Sequence, residues 1–346
     1  MATWPDILMR LSCDEDLAAA DTAWMLDEVF NGRATDAQLG AFLMGMQTKG
    51  ATAPEVNGMV GAMLAHAAPL YIPGRCVDIV GTGGDKANTV NISTMASLVI
   101  AGAGLRVVKH GSRAASSTTG ASDVLAALGV NLDLEPQRVA EVVEEVGITF
   151  CFAIKFHPAM RFAGPVRKEL GIPTIFNVLG PLTNPAQPTV SAIGASSAAL
   201  APVMANVLAM RGRHGMVFRN EDGLDELAAT AATRVWEVHD GVVTESVIDA
   251  AKDLGLHPIP VSALRGGEAD ENAAVVRSVL SGASGPVRET VIANAALAIA
   301  ADGTLPGTGG GDLITRMRSA MVAAAHAIDS GAADATLQRW AKATQS

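Results

Sequence analysis

Over residues 1–68 apolar side chains recur at helical spacing, and no alternating run interrupts them. In TDAQLGAFLMGMQTKG, Thr35 and Gln38 form a capping-box pair, Leu39, Phe42, Leu43 and Met46 share a face, and Gly50 supplies the stop. Thr52 and Glu55 open the next helix, whose stripe is Val56, Met59, Val60, Met63 and Leu64. With a helix around Trp24 to Phe30 and another before it, this pattern predicts a small helical bundle. Its Met-rich stripes read as core or as a subunit interface, not as a cofactor box.

After Pro73 and Gly74 the period changes. Short apolar runs (CVDIV, LRVV, ITFCFA, TVSAIGA, MVFR) alternate with helical segments, which predicts a mostly parallel sheet covered on both faces. VWEV and VVTESV, parted by Asp240 and Gly241, predict a hairpin. Six prolines within 157–188 predict a helix from Gly164 to Leu170 and then a constrained crossing, and from Asp270 onward three apolar helices close the chain. The expected fold class is therefore α/β: a helical domain over 1–70, joined by helices from about 165–190, beside a large α/β domain over 75–346.

Composition narrows the function classes. The 346 residues are 49% apolar and carry a net charge of -10, enough for a sizeable core and unsuited to broad nucleic-acid or membrane-surface binding. Three scattered cysteines, Cys13, Cys76 and Cys151, lack the spacing of a disulfide framework or zinc site and suit a reducing cytoplasm. The acidic first residues do not read as a secretory leader, and no apolar run reaches membrane length.

Within this acidic chain, residues 81–123 form a basic island: Lys86, Arg106, Lys109 and Arg113 against Asp85 and Asp123. Two glycine-rich turns there follow predicted strands and precede predicted helices, the arrangement that offers backbone N–H groups and a positive dipole end to an anion. On GTGGD alone an ordinary turn and a phosphate loop stay equally open, and neither the dinucleotide nor the P-loop fingerprint is present. Asp225 and Glu226 stand adjacent after a predicted strand, as a solvated acidic turn or as a holder of Mg²⁺. His157 could be a general base or a packing residue, and Arg167 a surface cation or a bidentate partner for a carboxylate.

The run GTGGD…NTVNIST, KHGSRAASS…G…DVLAALGV, HPAMRFAGPVRKELG, IFNVLGPLTNPA, GLDEL and GPVRETVIANAA resembles the anthranilate phosphoribosyltransferases over most of the chain. The resemblance implies a phosphoribosyl-binding α/β domain of the nucleoside phosphorylase/phosphoribosyltransferase type, and a cytoplasmic homodimer formed through the helical domain. It implies transfer of the phosphoribosyl group of phosphoribosyl pyrophosphate (PRPP) to anthranilate in tryptophan biosynthesis. Carried over residue by residue, Gly81, Gly84, Asp85, Thr89, Asn91, Ile92, Ser93 and Thr94 would bind PRPP in the first loop. Lys109, His110, Gly111, Ser112, Arg113, Ser116, Ser117 and Ala121 would do so in the second. Gly81, His110, Ser112, Arg167 and Pro181 would face anthranilate, and Ser93, Asp225 and Glu226 would hold Mg²⁺, with two ions possible. Lys109, Asp225 and Glu226 would be the catalytic set, and neither nucleic acid nor membrane is implied as a partner.

The sequence departs from the family at Ser112, where the usual motif reads KHGNR, and at Thr118, where many members carry Lys. Asn reaches further than Ser and offers both donor and acceptor, so this change bears on affinity for the aromatic acceptor and on its identity. Two other readings are a pyrimidine nucleoside phosphorylase, against which the Asp225–Glu226 pair argues, and a non-catalytic nucleic-acid module, against which the acidic charge argues.

Overall fold

The computed structural model describes residues 2–113 and 118–345. Four helices come first: α1 (Trp4–Ser12), α2 (Ala19–Phe30), α3 (Asp36–Lys49) and α4 (Ala53–Ala65). The Thr35–Gln38 box closes in both directions, at 3.2 and 2.9 Å, and Gly50 ends α3 at φ 85°. In α4 the carboxylate of Glu55 caps Thr52 N at 2.7 Å. Glu55 is fully buried, which is tolerable because it also accepts from Leu17 N at 2.8 Å and Lys49 Nζ at 3.0 Å. Met25, Met46, Met59 and Met63 go to the core, each contributing about 1.5–3 kcal/mol by burial, whereas Met9 and Met44 remain exposed.

The α/β part continues with β1 (Val77–Gly81), α5 (Ile92–Gly102), β2 (Val107–Gly111), α6 (Ala121–Ala127), α7 (Pro136–Val146) and β3 (Ile148–Phe152). Then come α8 (Ala153–Phe156), a 3₁₀ turn over Pro158–Phe162, α9 (Gly164–Leu170) and α10 (Phe176–Leu182). The crossing expected after α9 thus includes a further helix, with Pro181 inside its last turn. β4 (Val190–Gly194), α11 (Ala201–Met210), β5 (His214–Asn220), β6 (Thr233–His239) and β7 (Val242–Ile248) complete the sheet, and α12 (Ala250–Leu254) follows. Four helices, not three, close the chain: α13 (Ala269–Leu280), α14 (Pro286–Asp302), α15 (Leu313–Asp329) and α16 (Ala332–Ala343). α14 and α15 are parted by the glycine-rich stretch 303–312, and Gly331 makes a short stop between α15 and α16.

The strand order is β3-β2-β1-β4-β5-β6-β7, parallel through β5 and antiparallel at β6 and β7. The expected hairpin turn has Asp240 at φ 48° and Gly241 at φ 78°, the left-handed pair that matches strand twist. Alternation divides the core. Met216 and Phe218 join the cluster with α5 and α14, whereas Val217 joins the one with α4 and α11. The second cluster also takes in α1–α3, α9 and α10, so the N-terminal helices lie against one sheet face. Chain order reverses between β1 and β4, the point where open α/β sheets form a crevice at their strand ends.

Candidate active site

Gly81 and Gly194 pair at the ends of β1 and β4, on that crevice. The loop after β5 crosses directly above them. A Cβ at Gly194 would stand 1.7 Å from the Asp225 carbonyl oxygen, and one at Gly81 would stand 2.3 Å from Asp225 Oδ2. Both positions therefore need glycine for close approach. The crossing loop is pinned by two buried asparagines: Asn220 donates to Ala228 O at 3.0 Å, and Asn294 exchanges hydrogen bonds with the Leu227 backbone at 3.1 and 2.8 Å.

This delivers Asp225 and Glu226 to the first glycine-rich loop. Asp225 Oδ2 accepts from Gly83 N at 2.7 Å, and Glu226 Oε1 accepts from Thr89 Oγ1 at 3.1 Å. Asp85 joins them, and the three residues offer carboxylate oxygens within 4.8 Å of one another. Burial pushes Asp225 up to about 6, helped by the Asp85 charge; burial and then the Asp225 charge push Glu226 well up, and burial raises Asp85. Asp85 Oδ2 and Glu226 Oε2 are buried with no protein partner. An all-oxygen set with orphaned atoms and crowded negative charge fits a hard dication such as Mg²⁺. Asp85, expected among the PRPP contacts, thus belongs geometrically with the carboxylates.

Lys109 is held differently from a solvent-facing cradle cation. Its ammonium is buried, donating to Ile79 O at 2.6 Å and Ser93 Oγ at 3.2 Å. Burial lowers it to about 8, with the Asp78 charge opposing. Asp78 is itself fully buried in β1 and pushed up to about 6 by burial, with Lys109 opposing. Its oxygens accept from His110 N at 3.2 Å and Asn184 Nδ2 at 2.9 Å, and Asn184 also donates to Val108 O at 2.7 Å. Asp78 and Asn184 were not among the sequence candidates. The available signal was an aspartate inside the apolar run CVDIV, since a buried charge is informative where a buried Val is not.

The basic island divides in space. Arg106 precedes β2, at the far end from the loops, and binds Glu144 and Pro73 O, so it does not join Lys109 at the site. Arg113 and Ser112 are exposed beyond Gly111, and Ser116 and Ser117 lie outside the described residues. Asn91 locks loops together, donating to Thr119 O at 3.1 Å and accepting from Asn272 Nδ2 at 2.9 Å. The Ile92 side chain enters the core and Thr94 is fully buried, while Ala121 opens α6.

On the other side of the crevice, α9 and α10 present Arg167, His110's partner Gly180, and Pro181. The Arg167 guanidinium lies over the Phe176 ring, 5.1 Å from its centroid, and donates to Asn177 Oδ1 at 3.5 Å. Burial lowers it, and among the described residues no carboxylate stands within ion-pair distance. Asn177 Nδ2 lies 3.9 Å from the Cβ position of Gly84, which brings Arg167's surroundings up to the first loop. His110 Nδ1 meets Gly180 O at 3.0 Å and His157 Nε2 meets Thr183 O at 3.0 Å, so each ring donates to a carbonyl. The rings are 5.2 Å apart, and His110 Nε2 and His157 Nδ1 are buried acceptors without partners. Burial lowers them to about 3 and about 4, so both are neutral at pH 7.

A helical bundle thus lies beside an α/β sheet, with carboxylates at the switch point and the Arg167 guanidinium on α9, the architecture of the glycosyl transferase family matched here. Residues 73–334 match the family described as "Glycosyl transferase family, a/b domain", and residues 5–67 match its helical bundle domain. The chain is 55% identical to anthranilate phosphoribosyltransferase of Streptomyces griseus, over 99% of this chain and 95% of that one. The crystal structure of the Thermus thermophilus enzyme superposes with a TM-score of 0.90 at 36% identity, covering 99% of this chain and 100% of that one. The Saccharomyces cerevisiae enzyme in complex with PRPP and Mg gives a TM-score of 0.88 at 26% identity, covering 99% and 98%. This chain belongs to the anthranilate phosphoribosyltransferase family.

Proposed function

We propose that this protein transfers the phosphoribosyl group of PRPP to the amine of anthranilate, giving N-(5-phosphoribosyl)anthranilate and pyrophosphate, in tryptophan biosynthesis. The observation that carries the reading is the meeting of two unsatisfied half-sites at one loop. Among the described residues, no basic side chain stands within ion-pair distance of Asp85, Asp225 and Glu226, and no carboxylate stands within ion-pair distance of the half-buried Arg167.

In the transfer a bond forms from the anthranilate nitrogen to the ribose C1, the C1–O bond to pyrophosphate breaks, and the nitrogen gives up a proton. Positive charge grows on the sugar and negative charge on the leaving group, so fixed positive charge belongs at the pyrophosphate. Asp225 and Glu226, with Asp85, would hold Mg²⁺ there, and Ser93 a second ion. Magnesium, when bound, supplies charge neutralisation of the pyrophosphate. Gly81, Gly84, Thr89 and Asn91 shape the loop that holds PRPP, and Lys109 holds the Ser93 hydroxyl in place from beneath. Arg167 receives the anthranilate carboxylate, with His110, Ser112 and Pro181 around the ring. The histidines are too weakly basic to drive proton removal, and an aromatic amine needs positioning more than activation.

We assign the enzyme to the cytoplasm as a homodimer, with the helical domain over 1–70 carrying the contact. Met9 and Met44, exposed on the packed pair α1 and α3, support that surface. No helix among the described residues is long and apolar enough to cross a membrane. Sedimentation at assay concentrations checks the dimer. Mass analysis checks the reaction: PRPP, anthranilate and Mg²⁺ yield phosphoribosylanthranilate and pyrophosphate. Thymine release from thymidine and phosphate, with no product from PRPP, would point to the phosphorylase instead.

A further inference from the structure

At the opposite end of the sheet from the Gly81–Gly194 pair, β5 begins at His214 and β6 ends at His239. These residues stand one step beyond the Gly215–Val238 pair, so their side chains are cross-strand neighbours. Their ring centroids are 4.7 Å apart with planes at 76°. Asp240 follows in the turn to β7, and its left-handed backbone brings the carboxylate back over the strand ends. His214 Nε2 lies 3.5 Å from Asp240 Oδ1, and His239 Nδ1 lies 3.3 Å from Asp240 Oδ2.

We propose that His214, His239 and Asp240 form a second metal site, for a borderline transition-metal dication of the zinc class. The three residues offer donor atoms that all lie within 4.8 Å of one another. A tetrahedral ion with bonds of about 2.0 Å separates its ligands by about 3.3 Å. The two nitrogen-to-oxygen separations, 3.5 and 3.3 Å to the two oxygens of Asp240, lie close to that edge, and small side-chain rotations bring the three donors onto one ion. The donor set selects the ion: imidazole suits zinc and its neighbours, whereas magnesium prefers oxygen. The chain therefore keeps two metal chemistries apart, all-oxygen ligands at the active site and nitrogen-rich ligands at the far end of the sheet.

Other features of the setting agree. Arg213, the adjacent cation, donates to Gln187 at 2.9 Å, which occupies its guanidinium away from the cluster. His239 and Asp240 have side chains 67% and 76% exposed, so the fourth position would open to water. A bound ion would tie the start of β5 to the β6–β7 turn and strap the antiparallel edge of the sheet.

Calorimetric titration of the untagged protein with Zn²⁺ in excess Mg²⁺, which occupies the oxygen-only site, tests this. The proposal predicts one Zn²⁺ per chain and a zinc-dependent rise in Tm. His214→Ala and His239→Ala, shown folded by circular dichroism, should each weaken binding by more than the roughly ten- to hundredfold that loss of an outer-shell partner costs. Asp240→Asn, which keeps the turn, should weaken it as well. Cys13→Ser should retain binding, and transferase activity should be the same in all four variants. No Zn²⁺ binding by the wild type, or binding by the two histidine variants equal to that of the wild type, would overturn the assignment.

Discussion

Arg167 is a desolvated cation over an aromatic face with an amide as its polar neighbour and, among the described residues, no carboxylate in ion-pair distance. Arg167→Ala should raise KM for anthranilate by roughly ten- to a hundredfold, the scale of one charged hydrogen-bonded contact (about 1.5–3 kcal/mol). KM for PRPP should change little; initial rates with each substrate varied separately check the split. Ser112 lies exposed just past β2, at the position where the resemblance implies Asn. Ser112→Asn should lower KM for anthranilate, and an unchanged value would remove the idea that Ser112 weakens the acceptor site. Residues in local motifs could be named from the sequence because their chemistry depends on neighbours in the chain. Asp78 carried a signal, as a charge inside an apolar run, but its pairing with Asn184 did not, because that contact spans 106 positions.

The strand ends and the two loops they release were readable from apolar runs punctuated by glycine. Helices over about 165–190 were expected, but the bounds of α10 were not, because Pro173, Pro181 and Pro185 obscure its short apolar pattern. Arg106 misled because nearness in sequence is not nearness of side chains: it precedes β2 and turns to Pro73 and Glu144, whereas Lys109, in mid-strand, reaches Ile79 and Ser93. Burial of two neutral imidazoles between β2, α8 and α10 has a consequence for stability. Their folded values, about 3 and about 4, lie below the usual 6.5 for the unfolded chain. The stabilisation is fully present above pH 6.5 and is lost as pH falls from 6.5 toward 4 and below, as the unfolded chain takes up protons that the native state refuses. His157→Gln should flatten that acid limb, measured as the fall in urea unfolding free energy between pH 7 and pH 5. An equal fall in both proteins would contradict the buried neutral ring.

For the whole molecule, the fold class was legible because the period of the apolar pattern changes once, near Pro73, from helical to alternating elements. What sequence alone left open was how distant segments converge. Asp225 and Glu226 stand open in the sequence as a solvated turn or a Mg²⁺ holder, and the loop after β5, crossing above Gly81 and Gly194, brings them to the first glycine-rich loop. Arg167 stands open in the sequence as a surface cation or a carboxylate partner, and α9, packed against the first helices, holds it half-buried over the Phe176 ring. The central claim is that these two unsatisfied charges belong to one two-substrate site that needs a hard dication. Anthranilate fluorescence, followed with PRPP present, tests it most directly. The fluorescence should fall when Mg²⁺ is added, stop falling on chelation, and stay constant if either PRPP or Mg²⁺ is omitted. A signal that remains constant with PRPP and Mg²⁺ both present, or one that falls equally in excess chelator, would contradict the account.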